Sequence, residues 1–448
     1  MRLPARNRTQ TMFTTAATPQ HKRQMLSMTI IGVLFAVFGF VTWLNSSLIL
    51  FVKVGFDLDN VSAFLIPLVF YVSYFVLALP AAVVLRRTGM KRGMALGLFV
   101  MAVGSGTLAL FMDAYNYHGA LVGLFITGAG LALLQTASNP YVSILGPIES
   151  GARRVAIMGI CNKAAGAIAP YVFGVVLLSG ASAYAAKIQA AVSPQAKALL
   201  QHAFVARAFV PYLVMMGILA LLALWVVFSA LPEIKSGDDT RLAIAERSER
   251  SIFGFPYLWL GVVCLFIYVG MEVMAGDGIV IYGQSAGLPL GVVKHLTTWT
   301  MVGMLVGYVL GVVLTPRFVS QQRYLAASAV LGIVLTVAAW ITHGSISVAF
   351  VATLGFANAM MWPAIFPLAI KGLGDWTEFG SALLIMAIAG GAIIPQLFVH
   401  LEQMMDYQLA FLWVMVPGYT YIVFYGMLGY RIGLADHVDA VNSASARS

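Results

Sequence analysis

The chain has 448 residues, 60% of them hydrophobic and 10% charged, with a mean hydropathy of +0.90. That leaves too little polar surface to cover a water-soluble core, so a soluble globular protein is excluded and an all-α polytopic membrane protein is expected. The net charge of +9 lies between apolar runs, where it sets topology; no nucleic-acid partner is expected.

Twelve apolar runs read as transmembrane helices, roughly 27–52, 61–85, 93–112, 118–145, 155–179, 209–231, 255–281, 293–315, 324–342, 346–370, 380–401 and 408–430. Most exceed the ~20 residues a helix needs to cross a bilayer. With the N-terminus inside, the 26 Lys and Arg fall in inside segments except Lys53, Lys187, Lys197, Arg207 and Lys294, with Lys163 left within a span. This asymmetry predicts that both termini are cytoplasmic. The expected organisation is a tail over 1–26, a six-helix bundle over 27–231, a linker over 232–252, a second bundle over 253–431 and a tail over 432–448. The linker mixes charges of both signs and reads as an amphipathic surface helix. The first run is too long for a signal peptide. Cys161 and Cys264 fall in apolar helices and read as packing residues; no metal site is expected.

In the first run, FGFVTWLNSSLILF, Asn45 follows Trp43, and an amide beside an aromatic is a pairing with which proteins hold sugars. The fourth and fifth runs form the chain's most polar membrane stretch, LLQTASNPYVSILGPIESGARRVAIMGICNKAAGAIAP. Gln135, Asn139, Asn162 and Lys163 lie there within hydrocarbon depth, where polar groups are costly unless they face protein or a watery cavity. The stretch has an echo. Gln135-x4-Pro140 recurs as Asn358-x4-Pro363, LGPIESG as LGDWTEFG, and GAIAP (Gly166–Pro170) as GAIIP (Gly391–Pro395). Three matches in one order indicate a duplicated unit of the kind many transporters have. Pro170 and Pro395 read as matched bending points.

Residues 180–208 read as short interfacial helices around Pro194. The seventh run carries Glu272 and Asp277 among Gly270, Gly276, Gly278 and Gly283, a pattern that loosens a helix. A carboxylate at that depth pairs, takes a proton or meets an ion. The tenth and eleventh runs add Asn358, Trp362 and Gln396 as residues facing the presumed cavity.

The runs LLQTASNPYVSILGPIES with MGICNKAAG, FGFVTWLN, and WPAIFPLAIKGLG with GGAIIPQ resemble the fucose permease branch of the major facilitator superfamily, over nearly all of 27–431. Gln135 in LQTASNPY makes the likeness nearer to the glucose/galactose and N-acetylglucosamine permeases. The resemblance implies two pseudo-symmetric six-helix bundles, alternating access, and cation symport of a neutral sugar in a bacterial inner membrane. It also implies that Asn162 is the family's helix-5 amide. Fucose permeases carry an acid where this chain has Ser46 and a Glu where it has Gln135, so the coupling ion, H+ or Na+, stays open.

The expected sugar site comprises Asn45, Gln135, Asn139, Asn162, Asn358, Trp362 and Gln396. Aligning Gly39 with Gly270 sets Ser46 opposite Asp277, so Glu272, Asp277 and Lys163 are the expected coupling residues, with Lys163 exchanging between the acids and the cation. No enzyme activity, catalytic residue or cofactor is expected beyond the driving cation, and a monomer is expected. No nucleotide-binding P-loop is present, which argues against an ATP-driven pump. A sugar sensor without transport activity, on the same fold, is the alternative.

Overall fold

The computed structural model describes residues 19–144, 151–233, 251–315, 318–373 and 376–433. Among these residues there is no strand, and the helices account for twelve membrane spans when one bent pair is taken as a single span. The spans are α1 Met25–Gly55, α2 Asn60–Leu85, α3 Met90–Asp113, α4 Tyr117–Ile144, α5 Gly151–Leu177 and α6 Phe209–Phe228. After the linker come α7 Pro256–Ser285, α8 Leu290–Leu314, α9 Gln321–Ile341, α10 (Gly344–Asn358 with Met361–Ala369), α11 Phe379–Glu402 and α12 Tyr407–Met427.

A helix is the one open-ended element that satisfies its own backbone in hydrocarbon, and these runs are apolar enough to need that. Their ends are set by polar caps: the Ser62, Ala196 and Gln408 amides donate to the Asp59, Ser193 and Asp406 side chains at 2.9, 3.1 and 2.9 Å. The short helices Ala181–Gln189 and Pro194–Val205 stand where the sequence places its interfacial segment. Helix already begins at Pro19, within the stretch expected as tail. The amphipathic linker helix, expected over 232–252, and the LGPIESG turn fall largely outside the described residues; of LGDWTEFG only 374–375 do, and helix resumes at Thr377.

In the first half α1 packs on α5, and α3 packs on α4 and α6; in the second α7 packs on α11, and α9 packs on α10 and α12. The halves meet along α5 against α8 and α2 against α11. Small residues permit the tightest crossings, as dispersion-driven packing in lipid requires. Gly97 and Gly104 of α3 lie against the backbone of Gly130 and Gly123 of α4, with no room for a Cβ. At the core of each half one glycine abuts a carbonyl of the neighbouring helix. Gly39 of α1 meets Asn162 of α5, and Gly390 of α11 meets Phe266 of α7.

The interruptions are not where matched prolines would put them. Helix α5 runs through Pro170 unbroken, while α11 tightens into a 3-10 turn at Ala387–Ala389, ahead of Pro395. The bend of 40° is in α10, between Asn358 and Met361. Met360 there has a φ of 63°, and Pro363 follows within the first turn of the second segment, where its missing N–H costs no helix bond.

Candidate functional site

A cavity of about 150 Å³ lies between the halves, lined from α1, α2, α4, α5, α7, α8, α10 and α11. Its polar lining is Thr42, Tyr71, Tyr74, Gln135, Asn139, Asn162, Lys163, Tyr268, Glu272 and Tyr308; Phe35, Phe38, Trp43 and Trp362 supply the aromatic faces.

Three of these polar groups are held by a neighbour on another helix. Gln135 Nε2 donates to the Tyr74 hydroxyl at 3.1 Å, tying α4 to α2. Asn162 Nδ2 donates to the Phe35 carbonyl at 3.3 Å, beside the Gly39 crossing that brings α1 and α5 together. Lys163 Nζ meets Glu272 Oε1 at 2.6 Å, with side-chain exposures of 8% and 11%. The same ammonium stands 4.9 Å from the Trp43 ring centroid. Tyr268 and Tyr308 flank Glu272. The charges in this cavity therefore cancel locally, and the lining presents amides, hydroxyls and rings.

Of the seven residues expected to hold a sugar, Gln135, Asn139, Asn162 and Trp362 line the cavity. Three do not. Asn45 is two residues beyond Trp43, about 200° around the helix, so with Trp43 facing the cavity Asn45 turns into protein, 1% exposed. Asn358 ends the first segment of α10, and its amide is consumed there. It accepts from the Tyr419 hydroxyl at 2.8 Å and donates to the Met271 carbonyl at 3.4 Å. The repeat pairs Asn358 with Gln135 in sequence, but α10 breaks at this point while α4 continues to Ile144. Gln396 is two turns past Ile388, the α11 residue in the lining, and reaches the Val61 carbonyl of α2 at 3.5 Å.

Of the expected coupling residues, Lys163 and Glu272 are a pair, and Asp277 is apart from them. It sits in a wide π turn of α7, Met274–Gly278, the kind of insertion often found at functional positions. Gly276 in that turn lies against the Trp43 ring, which leaves no room for a Cβ.

The tyrosines and Thr42 escaped sequence reading. Tyr71 and Tyr74 occur in an apolar run as any packing tyrosine would, and only the fold brings them opposite Gln135.

At one end of the molecule the halves are joined by polar groups. Lys53 of α1 donates to Gln284 of α7 at 2.9 Å and to Asn60 of α2. Asn60 donates to Glu402 of α11 at 2.8 Å, which also accepts from Ser285. The cavity lining extends away from this end, to Asn139, Val155 and Pro363.

The model of the Major Facilitator Superfamily matches residues 29–395. The chain belongs to that superfamily. It is 34% identical over 422 residues to a glucose/galactose transporter of Brucella abortus, covering 92% of this chain and 96% of the relative. An L-fucose-proton symporter of Escherichia coli is 29% identical over 380 residues, 84% of this chain and 86% of the relative. Among solved structures, the superfamily transporter FucP in its outward conformation superposes with a TM-score of 0.70 at 26% identity, covering 91% of this chain and 99% of that one. The fold is thus the major facilitator fold, and the chain is a membrane transporter by family, not an enzyme.

Proposed function

We propose that this chain is a secondary active transporter that moves a neutral hexose or N-acetylhexosamine (glucose, galactose or N-acetylglucosamine) together with H+ or Na+. The observation that carries this reading is the cavity between the halves: amides and hydroxyls at hydrogen-bonding positions, aromatic faces beside them, and a charge pair closed on itself. Such a lining suits hydroxyls and the apolar faces of a sugar ring, and offers no cluster of cations for an anion. The relatives named for glucose/galactose and for fucose with proton support the substrate class.

In this reading Gln135, Asn139 and Asn162 bind sugar hydroxyls and Trp362 supplies a stacking face. Trp43 is covered by the Lys163 ammonium, so it shapes the site more than it stacks. Of the expected coupling set, Lys163 and Glu272 hold each other in the site, and Asp277 lies apart in the α7 turn. Residues 27–231 and 253–431 move as two bundles joined by 232–252 and act as a monomer in a bacterial inner membrane, with both termini in the cytoplasm, an orientation that the Lys and Arg distribution supports. The polar join of Lys53, Asn60, Gln284 and Glu402 is then the closed outer side, and the cavity communicates with the cytoplasmic side.

Uptake of labelled glucose, galactose and N-acetylglucosamine into proteoliposomes tests the reading, with unlabelled competitors and with H+ or Na+ gradients. Accumulation above the external concentration is expected for at least one of these sugars. Binding without accumulation would make the chain a sensor; equilibration without concentration would make it a channel.

A further inference from the structure

Asp277 is fully buried, and among the described residues neither carboxyl oxygen has a hydrogen-bond or ion-pair partner. The charged and polar groups that bear on it can be named by element. On α1 the Ser46 backbone N–H is the one donor directed at the carboxyl, short of full hydrogen-bond geometry, and Trp43 covers the turn at Gly276. On α2 Tyr71 lies within reach of its charge. On α7 itself Glu272 is the nearby like charge, already held by Lys163. On α8 the Thr297 hydroxyl donates to the Gly276 carbonyl at 2.7 Å and not to the carboxyl. Lys294, His295, His400 and Glu402 stand toward the ends of α8 and α11, His343 just ahead of α10, and none acts on Asp277.

An ionised carboxyl in such a place has little to replace its water: no cation, a single backbone N–H directed at it, and a like charge one turn away. A proton removes the charge without needing any further ligand, whereas Na+ would need several oxygens arranged around it. We propose that Asp277 is the group that carries the driving ion of the symport, and that this ion is a proton; the proposal rests on the sugar-symport reading above.

The location ties the proton to the conformational cycle. The turn 274–278 packs against the outer part of α1 just below the polar join of Lys53, Asn60, Gln284 and Glu402. The carboxylate takes a proton from outside water while α1 and α7 are apart. The seam then closes over the neutral acid, which it could not do over the ion. Tyr71 both adjoins Asp277 and lines the sugar cavity. When water reaches the acid from the cavity side it takes the proton as hydronium, and the carboxylate left under the seam favours reopening to outside water. Lys163 and Glu272, charged in opposite senses and bonded to each other, stay as a fixed pair within the sugar site.

The full-length protein in proteoliposomes tests this with whichever of glucose, galactose or N-acetylglucosamine the wild type exchanges. For Asp277→Asn, exchange at equal concentrations should stay within about threefold of wild type, while accumulation driven by an inward proton gradient should be lost. Undiminished accumulation overturns the proposal, and so does a wild type driven by a Na+ gradient with no proton movement. A wild type that exchanges none of the sugars removes the transport reading itself, and this inference with it. Should Asp277→Asn not fold, Asp277→Glu decides: a shifted pH profile of accumulation supports the assignment, and an unchanged profile overturns it.

Discussion

Lys163 of α5 and Glu272 of α7 meet at 2.6 Å across the interface between the two halves, both nearly withdrawn from water. Neither charge has a second partner of opposite sign among the described residues. Removing one leaves the other stranded, which for a buried pair costs about 3–5 kcal/mol, whereas replacing both by uncharged groups costs far less. Lys163→Ala and Glu272→Gln are each expected to lower the thermal midpoint in detergent strongly. The double variant Lys163→Gln/Glu272→Gln should recover most of that loss. Equal destabilisation by singles and double would mean that the pair contributes through packing rather than charge.

Sugar contact and structural support separate the amides. Gln135→Ala and Asn162→Ala each remove a cavity-lining group and should weaken sugar binding about tenfold to a hundredfold, equivalent to roughly 1.4–2.8 kcal/mol. Asn358→Ala instead strands the Tyr419 hydroxyl and should cost about 1–3 kcal/mol of stability with an unchanged dissociation constant. Titration of labelled sugar binding, alongside thermal unfolding, distinguishes the two classes. A loss of affinity in Asn358→Ala that exceeds that of Gln135→Ala would contradict the assignment.

How far this was legible in the sequence depends on the scale of the feature. Helix count and position follow from apolar run length, because a bilayer enforces one solution on any such run. The pair Lys163 and Glu272 was also foreseeable, since two opposite charges at membrane depth have few other partners. The division between Gln135 and Asn358 was not. A repeat records common origin, but the bend at Met360 redirects everything around it, and nothing in Asn358-x4-Pro363 distinguishes a broken helix from the continuous one of Gln135-x4-Pro140. Asn45 failed for a simpler reason: two steps along a helix reverse the face, so Trp43 and Asn45 cannot share a ligand.

The crossings at Gly39 and Gly390 are set by backbone against backbone, Asn162 in one half and Phe266 in the other. A methyl group at either position has no flexible side chain to displace, so the helices must separate, at a cost of about 1–3 kcal/mol. Gly39→Ala and Gly390→Ala should destabilise similarly. Gly39→Ala should additionally weaken sugar binding, because it displaces Asn162 from the cavity wall. Equal affinities in the two variants, measured by equilibrium binding, would show that the position of Asn162 is insensitive to that crossing.

The polar join at the end bearing Lys53 and Glu402 should set how readily that side opens. Glu402 accepts from Asn60 of α2 and from Ser285 of α7, so a single side chain on α11 clasps both halves. Lys53 repeats the arrangement from α1 to Gln284. Glu402→Ala returns the exposed Ser285 hydroxyl to water and deprives the part-buried Asn60 amide of its acceptor, which costs about 1 kcal/mol. A bias of that size against the closed arrangement changes the ratio of states about fivefold. Spin labels at the outer ends of α1 and α7 should report a larger population of long distances in Glu402→Ala than in the parent. Sugar uptake should slow at the closing step while affinity measured from the outside rises, because the outward state is reached without breaking the clasp. Unchanged distance distributions in both Glu402→Ala and Lys53→Ala would mean that α2 against α11 and α5 against α8 hold this end closed without the polar join.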